Sequence, residues 1–331
     1  MSGHAFCPAL LRLAVFLVAL LSGSNAFAQS GVLLYAPNNA DNNVSVYTVG
    51  STGSLTSVAT ISVGTFANYA AVRPDQSFAY ITNRDTNNVS VIDTSTNTVV
   101  QTIASGSAPH GLAVSPDGTT LYVANRSGNS VSVYSINNST GQLTLSSTFT
   151  TGSTPRGITV SPDGTRVWVV SQGGNSVQVF DTSGTNLATI TVGTQPLSVA
   201  LNPAGTRAYV TNFSTNNMTV IDTSANTVVT TVTTGNGPDG VIVSQDGKTT
   251  YTANRSDGTV SMIDAATNTL VTTDVTSGQT ANGIVILPNG ATVYATNQGS
   301  ADNVAAFTVT TSTGALTLLN TIASGNNPGC A

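Results

Sequence analysis

The chain contains no glutamate and a single lysine, Lys248, and its fourteen acidic residues are therefore all aspartates. Serine, threonine, asparagine and glycine fill the polar positions instead. This composition favours strands and turns over helices, because helices favour Ala, Leu, Glu and Lys. A lysine-poor chain with a formal net charge of −5 also argues against a nucleic-acid partner.

Cysteine and histidine are equally scarce. The two cysteines are Cys7 and Cys330, and the two histidines are His4 and His110. Because Cys7 and His4 lie in the amino-terminal leader described next, the rest of the chain can form no internal disulfide and contains no Cys-x-x-Cys-His haem site. One remaining histidine and one terminal thiol do not suffice for a zinc or copper site. The Asn- and Asp-rich loops lack the spacing of a calcium-binding EF-hand loop and its bidentate Glu. The sequence therefore predicts no metal and no cofactor.

Residues 1–28 have the form of a secretory signal peptide. Arg12 precedes the apolar run LAVFLVALL, and Ala26-Phe27-Ala28 matches the small-x-small pattern of a signal-peptidase site. The apolar run is too short for an ordinary membrane span, although an uncleaved anchor is the alternative. No second hydrophobic segment follows, so we expect no membrane span in the rest of the chain. We expect the protein to be exported to the periplasm, the cell surface or the medium.

An aromatic-x-x-Asn phrase recurs seven times at steps of 41 to 46 residues. Its copies begin at Tyr35, Tyr80, Tyr122, Trp168 (with Ser171 in place of Asn), Tyr209, Tyr251 and Tyr294. Each repeat contains an apolar segment, a Ser-Pro-Asp-Gly-like turn, the aromatic segment, an Asn-rich loop and two further alternating segments. Seven repeats of four strands predict an all-β, seven-bladed propeller of four-stranded antiparallel blades over residues 29–331. A linear β-solenoid is the alternative, but its coils are shorter.

The phrases YVTN, SPDG and VSVIDTSTNTVV resemble the YVTN-repeat β-propellers of secreted and surface-layer proteins. The repeats at Tyr35, Tyr122 and Tyr294 instead carry phrases such as VSVYSINNSTGQLT, which resemble blades of the seven-bladed lactonase family. That family includes enzymes of the 6-phosphogluconolactonase type. Both resemblances imply the same propeller fold, but the first implies a binding or surface role and the second a hydrolase.

The last residues, GNNPGCA, align with GSAPHGLAV of another repeat and stop as an innermost strand begins. Six full innermost strands are therefore visible. Either the chain is truncated, or the first blade has a short inner strand.

Candidate functional residues are found by comparing the repeats with each other. The position that follows the turn proline in five of the repeats, and to which Asn68 aligns without a proline, varies while its surroundings repeat, and it should form a ring at the mouth of the central channel. In order, the ring contains Asn68, His110, Arg156, Leu197, Asp239, Asn282 and Gly329. His110 can titrate near neutral pH and act as a base, and Arg156 can hold a carboxylate or phosphate. Asp239, three blades from His110, is expected to lie too far away to orient it. The alternative is that the ring is ordinary polar lining of a wet channel.

Arg84, Arg126 and Arg255 each follow the aromatic phrase directly, so they should lie on the same face as the ring. Asp41, Asp85, Asp257 and Asp302 share those loops, which makes the face mixed in charge. Such a face suits a small anionic or sugar ligand, a glycan or a protein loop. Any one of these arginines can equally belong to a solvated rim of paired charges.

Three functions follow from these patterns. The first is a non-catalytic binding or interaction protein, as the resemblance to YVTN-repeat proteins implies. The second is a lactonase-like hydrolase that uses His110 and Arg156, although the chain lacks Glu and has one aspartate in the ring. The third is an accessory subunit of a periplasmic redox or envelope system.

Overall fold

The computed structural model describes residues 32–276, 280–299, 302–310, 312–326 and 328–329. The predicted signal peptide, residues 1–28, and Cys330 lie outside these ranges. All regular secondary structure in the described residues is β-strand. These residues form no helix that is long and apolar enough to span a membrane.

The strands form seven antiparallel sheets, six of four strands and one of three. We number these sheets as blades 1 to 7: β1–β3 form blade 1, and β4–β7, β8–β11, β12–β15, β16–β19, β20–β23 and β24–β27 form blades 2 to 7. The innermost strands are β4 (Ala67–Val72), β8 (Pro109–Val114), β12 (Pro155–Val160), β16 (Pro196–Leu201), β20 (Pro238–Val243) and β24 (Thr280–Ile286). The second strands, which carry the aromatic phrase, are β1 (Val32–Asn38), β5 (Phe78–Asn83), β9 (Thr120–Asn125), β13 (Arg166–Ser171), β17 (Arg207–Asn212), β21 (Thr249–Asn254) and β25 (Thr292–Gln298).

The third strands are β2 (Asn43–Val49), β6 (Asn88–Asp93), β10 (Ser130–Ile136), β14 (Ser176–Asp181), β18 (Asn217–Asp222), β22 (Thr259–Asp264) and β26 (Asn303–Val309). The outermost strands are β3 (Leu55–Ser62), β7 (Thr98–Ala104), β11 (Leu143–Thr150), β15 (Asn186–Thr191), β19 (Thr227–Thr233), β23 (Thr269–Thr276) and β27 (Leu316–Ala323). The prediction of a seven-bladed propeller is confirmed.

The hydrophobic core lies between the blades rather than inside any one of them. Seven buried clusters each join two neighbouring blades, including one that joins blade 7 to blade 1. Both faces of a blade are covered, so β5 is buried at every position, whereas β7 at the rim alternates between exposed and half-buried residues. A single blade could not bury both of its faces alone, and the ring is therefore the folding unit.

The aromatic residues of the phrase lock each blade to the next one. Tyr80, Tyr251 and Tyr294 are almost completely buried. Their hydroxyl groups donate hydrogen bonds of 3.1, 2.7 and 2.8 Å to the carbonyls of Gly141, Gly314 and Gly53, which lie in the outer hairpins of the following blades. The burial raises the pKa of Tyr251 to about 12, so this hydroxyl remains a donor at neutral pH. These tyrosines are therefore core residues between the blades.

The turn aspartates have a structural role. Asp117 accepts hydrogen bonds from the Ser115 hydroxyl and the Thr119 amide in the Ser-Pro-Asp-Gly turn, where Gly118 has a φ of 72°. Asp93 accepts bonds from the Ser95 amide and hydroxyl after the third strand of blade 2. These are local side-chain to backbone bonds of the kind that stabilise tight turns.

Blade 1 closes the ring with both ends of the described chain. Its sheet has three strands, and Pro328 forms an isolated antiparallel bridge with Asn38 on the inner edge of β1. The Gly329 amide donates a 2.6 Å hydrogen bond to the carbonyl of Pro37. The expectation that the first blade lacks a full inner strand is confirmed for the described residues.

Candidate functional site at the channel mouth

The ring residues are aimed into the channel mouth by a repeated backbone turn. Two positions before the ring, the structure places a residue in the left-handed region: Phe66, Ala108, Thr154, Gln195 and Gly237, with φ between 51° and 63°. Four of these are not glycine, and a left-handed conformation costs such residues roughly 1–2 kcal/mol each. The same left-handed conformation in four blades shows that the fold imposes this turn at the channel mouth, against the backbone preference of the residues that adopt it.

Asparagines from the neighbouring loops hold this turn. The Asn87 side-chain oxygen accepts a 2.7 Å hydrogen bond from the Ala108 amide, and Asn129 accepts one of 2.8 Å from Thr154. Asn175 does the same for Gln195 at 2.9 Å. The Asn-rich loops therefore fix the entry of these three innermost strands.

Threonines of the aromatic phrase then hold the ring residues themselves. The Thr82 hydroxyl donates a 2.7 Å hydrogen bond to the carbonyl of His110, one blade further on. Thr211 binds the carbonyl of Asp239 in the same way at 2.6 Å. The backbone of these two ring residues is thus held by the preceding blade.

The ring and the loop residues around it enclose a cavity of about 230 Å³. All eight residues that the sequence singled out for binding line this cavity: Asn68, Arg84, His110, Arg126, Arg156, Asp239, Arg255 and Asn282. Leu197, the apolar member of the ring, does not line it and is 1% exposed. The candidate catalytic residues His110 and Arg156 are brought together in one site.

Asp239 is the centre of an ion-pair network that the sequence did not predict. Its Oδ2 lies 3.2 Å from Nη2 of Arg156 and 3.8 Å from Nη1 of Arg255. The Arg156–Asp239 pair joins blade 4 to blade 6. The ring position of blade 5, between them, is the apolar Leu197, which cannot form a hydrogen bond with either side chain. Asp239 therefore holds two arginines in place and makes no hydrogen bond to His110, as its expected distance from His110 implied.

His110 is buried and uncharged. Its ring packs on Tyr69, with 4.6 Å between the ring centroids, and its Nδ1 is buried without a hydrogen-bond partner. Burial lowers the pKa of His110 well below its ordinary value of 6.5, and the charges of Arg156, Arg126 and Arg84 lower it further. The sequence suggested a histidine that titrates near neutral pH, whereas the structure gives a neutral imidazole there, first because the ring is buried and second because three arginines lie nearby.

The cavity carries a surplus of positive charge. Arg84 stacks on Phe66, with Cζ 3.4 Å from the ring centroid, and binds Asp85 at 2.7 Å. Arg126 has no carboxylate within 4 Å among the described residues. Burial, Arg156 and Arg84 lower its pKa. Four arginines and one carboxylate, that of Asp239, line the cavity. The wider face is mixed in sign, as predicted, but the cavity itself favours an anion.

Sequence reasoning missed four lining residues, namely Asn39, Phe66, Tyr69 and Gln298. A signal existed for Tyr69, because four other blades have glycine at its position: Gly111, Gly157, Gly240 and Gly283. A Cβ atom at Gly111 would lie 2.2 Å from the carbonyl oxygen of Arg156, so this position normally touches the next blade. In blade 2 the Tyr69 side chain extends toward the next blade, and its ring packs on His110.

The channel below the ring is lined mainly by apolar side chains and glycines. Its walls are the innermost strands, with lining residues such as Ala70, Leu112 and Val199. In the described part of the chain, no three His, Cys, Asp or Glu side chains are close enough to hold a metal ion. Polar chemistry in this channel is concentrated at the mouth.

The fold and this site define a seven-bladed β-propeller with a polar cavity at one end of its channel. The family model described as "Lactonase, 7-bladed beta-propeller" matches residues 95–191 and 191–331, more than half of the chain. The chain therefore belongs to the seven-bladed lactonase family. None of the curated proteins matches it.

Three solved structures with the same fold are distant from this chain in sequence. A protein from Lactobacillus plantarum has a TM-score of 0.79 and 21% identity, covering 90% of this chain and 97% of that one. A candidate 6-phosphogluconolactonase from Bacteroides uniformis has a TM-score of 0.78 and 19% identity, again covering 90% and 97%. The hydrazine synthase of Kuenenia stuttgartiensis has a TM-score of 0.68 and 22% identity, covering 80% and 88%. At these identities the likeness shows the fold alone.

Proposed function

We propose that the protein hydrolyses a lactone that carries a negatively charged group, and that the reaction takes place in the channel-mouth cavity. The observation that carries the proposal is the convergence of a neutral histidine and four arginines in one enclosed site. Membership of the lactonase family supports the same class of reaction.

In this proposal His110 is the base. Neutral imidazole can accept a proton from a water molecule as the water oxygen attacks the lactone carbonyl carbon. The ring carbon–oxygen bond then breaks, the ring oxygen takes a proton, and a hydroxy acid leaves. A histidine that stays neutral below pH 6.5 remains available for the first step over a wide pH range.

Arg156 stabilises the oxyanion that forms on the carbonyl oxygen. Its guanidinium carries five N–H donors, and the contact of Nη2 with Asp239 fixes the direction in which this guanidinium faces the cavity. Fixed donors of this kind contribute about 3–4 kcal/mol of transition-state stabilisation when they are preorganised. Asp239 is a positioning residue in this scheme, since it holds Arg156 and Arg255 from a buried position.

Arg126 and Arg84 bind the charged group of the substrate. Arg126 lacks a carboxylate partner among the described residues, and Arg84 is held by its stacking on Phe66. A phosphate or carboxylate on the lactone would supply the missing negative charge through bidentate hydrogen bonds.

The test is hydrolysis of a panel of sugar lactones at neutral pH, with and without a phosphate or carboxylate group. We expect turnover of the anionic members, and a loss of about 100-fold or more in kcat for His110→Ala and Arg156→Ala. Lys248→Ala, on the opposite face of the propeller, is the control and should retain the wild-type rate. A folded wild-type protein that hydrolyses none of the lactones would rule the proposal out.

The second candidate is binding of an anionic ligand without turnover. It is favoured by one observation: Asp239, the single carboxylate in the cavity lining, is already engaged by two arginines. The same panel separates the two functions. Calorimetric binding of an anionic lactone or sugar acid that is lost in Arg126→Gln, with no hydrolysis by the wild type, would establish the binding role.

A further inference from the structure

Two asparagines at the channel mouth carry buried side-chain oxygens that no described residue binds. Asn39 and Asn282 are each 4% exposed, and both line the channel-mouth cavity. The Oδ1 atom of each is buried without a hydrogen-bond partner. Burying an amide oxygen without a partner is unfavourable, and native proteins rarely do so without a reason. Both asparagines are therefore positioned to accept hydrogen bonds from a molecule that enters the cavity.

A comparison of the blades shows that these amides replace arginines. In blades 2, 3 and 6 the residue directly after the aromatic phrase is an arginine: Arg84, Arg126 and Arg255. In blades 1 and 7 the same position holds Asn39 and Gln298, and the ring position of blade 7 adds Asn282. We call these three residues the amide side of the cavity. Blade 7 lies three blades from blade 3, the largest separation in a ring of seven, so Asn282 and Arg126 start from opposite sides of the mouth.

The amide side is held in place and has space beside it. Nδ2 of Asn39 donates a 3.1 Å hydrogen bond to Oδ1 of Asn68, which fixes the Asn39 side chain and leaves its oxygen as the unbonded end. The ring position of blade 1 is Gly329, where a Cβ atom would lie 2.7 Å from this oxygen. A side chain at Gly329 would therefore fill the space in which a ligand group can reach Asn39.

The chemistry of the amide side selects hydroxyl groups. A carboxylate or a fully ionised phosphate offers only acceptors and cannot satisfy an amide oxygen. An ammonium group can donate, but the cavity already holds four arginines and one carboxylate, which disfavours a further cation. A hydroxyl group donates to an amide oxygen and accepts from an amide nitrogen, so it matches both ends of an asparagine side chain.

We propose that Asn282 and Asn39 are specificity-determining residues that bind hydroxyl groups of the ligand, while its charged group lies on Arg84 and Arg126. The ligand is then a polyhydroxylated anion that binds in one direction, and a cavity of about 230 Å³ limits it to a single ring. The inference rests on the proposed function for the place of the charged group, but it does not depend on turnover.

The test is calorimetric binding of two probes, glucuronate and cyclohexanecarboxylate. Both are saturated rings of the same size with one carboxylate, only glucuronate carries hydroxyl groups, and neither is a lactone. We expect the wild type to bind glucuronate about ten-fold or more tightly than cyclohexanecarboxylate. Asn282→Leu and Asn39→Ala should each weaken the binding of glucuronate by about ten-fold and leave that of cyclohexanecarboxylate unchanged. Arg126→Gln should weaken the binding of both probes alike.

The matched control is Asn320→Leu, the same exchange in the same blade. Asn320 lies on the outermost strand β27, and its Oδ1 is also buried without a partner, but it does not line the cavity. This variant should bind both probes like the wild type, and thermal unfolding checks the fold of each variant. If Asn282→Leu does not fold, Asn39→Ala must still show the selective loss of glucuronate.

The outcomes separate this inference from the proposed function. Equal affinity of the wild type for both probes overturns hydroxyl recognition and leaves anion binding by the arginines intact. A preference for glucuronate that persists in Asn282→Leu and Asn39→Ala also overturns it. Binding of neither probe overturns both the inference and the proposed anion site. A selective loss of glucuronate in the two asparagine variants supports the inference even if no lactone is hydrolysed.

Discussion

His110 shows how the surroundings of one side chain set its charge. In the folded protein the pKa of His110 lies well below 6.5, its ordinary value. At a pH between this lowered pKa and 6.5, the unfolded chain therefore binds a proton at His110 and the folded protein does not. The free energy of unfolding should therefore fall as the pH is lowered below 6.5 through this window. We expect this fall to be smaller in His110→Gln, which cannot titrate. Chemical denaturation of both proteins at pH 7.5 and 5.0 measures it, and an identical pH dependence would contradict the buried, neutral state.

Arg126 is expected to carry most of the affinity for an anion. Replacement by Gln removes a charge-assisted hydrogen bond, which is worth about 1.5–3 kcal/mol. The dissociation constant of an anionic lactone or of inorganic phosphate should rise by about ten-fold or more. Isothermal calorimetry measures this effect. Arg207→Gln changes the same charge on the opposite face, beside Asp222, and should bind like the wild type. Equal weakening in both variants would indicate a long-range charge effect rather than a site.

The sequence identified the ring residues because they vary where their surroundings repeat. It did not reveal Phe66 and Tyr69, whose importance comes from contact with Arg84 and His110 of the neighbouring chain segments. Nor could it give the charge of His110, since that depends on how deeply the imidazole is buried and on which arginines lie near it once the blades close.

At the scale of the structural element, the left-handed turn before each ring residue can be tested by mutation. Ala108 has a φ of 52°, a conformation that glycine adopts without strain. Ala108→Gly should therefore raise the free energy of unfolding by about 0.5–1 kcal/mol. Ala113→Gly, in the regular part of β8, should lower it by a similar amount. Thermal and urea unfolding compare the two, and a loss of stability in Ala108→Gly would show that the turn is not strained.

The recurring aromatic-x-x-Asn phrase also fixes the loop that follows it. The asparagine at its end is buried and ties the next loop, as Asn83 does by donating to Asn88 at 2.7 Å and to Ser90 at 2.9 Å. In blade 4 the positions of Asn83 and Ser90 are taken by Ser171 and Gln178. The Ser171 hydroxyl donates a 3.1 Å hydrogen bond to the side-chain oxygen of Gln178. The longer glutamine compensates for the shorter serine, an exchange that sequence spacing alone does not explain.

At the scale of the whole molecule, ring closure should depend on Asp41. Its carboxylate accepts hydrogen bonds of 2.7 and 2.8 Å from the backbone and side chain of Asn326, which joins blade 1 to the segment that follows β27. Asp41→Ala should speed hydrogen exchange of the Gly329 amide by about ten-fold, because local opening needs less free energy. Asp257 makes the equivalent hydrogen bonds to Asn236, away from the point where the propeller closes. Asp257→Ala should therefore leave the hydrogen-exchange rate of the Gly329 amide unchanged. Unchanged exchange in Asp41→Ala would show that other contacts hold the closure.

We also propose that the protein is exported with cleavage of its leader. The Ala26-Phe27-Ala28 pattern predicts that the secreted chain begins at Gln29. Intact-mass and amino-terminal analysis of protein recovered from the periplasm or medium tests this directly. Recovery of full-length chain in the membrane fraction would instead favour the uncleaved anchor.

The sequence by itself determined the number of blades, the strand that carries each aromatic residue and the positions that line the channel mouth, because all of these repeat with the period of one blade. Only the tertiary structure decided that Arg156 of blade 4 pairs with Asp239 of blade 6, that Tyr69 packs on His110, and that the cavity is positive inside a mixed face. These features join residues that are far apart in the chain, and their energies depend on burial and on separations of a few ångströms, which no repeat pattern encodes.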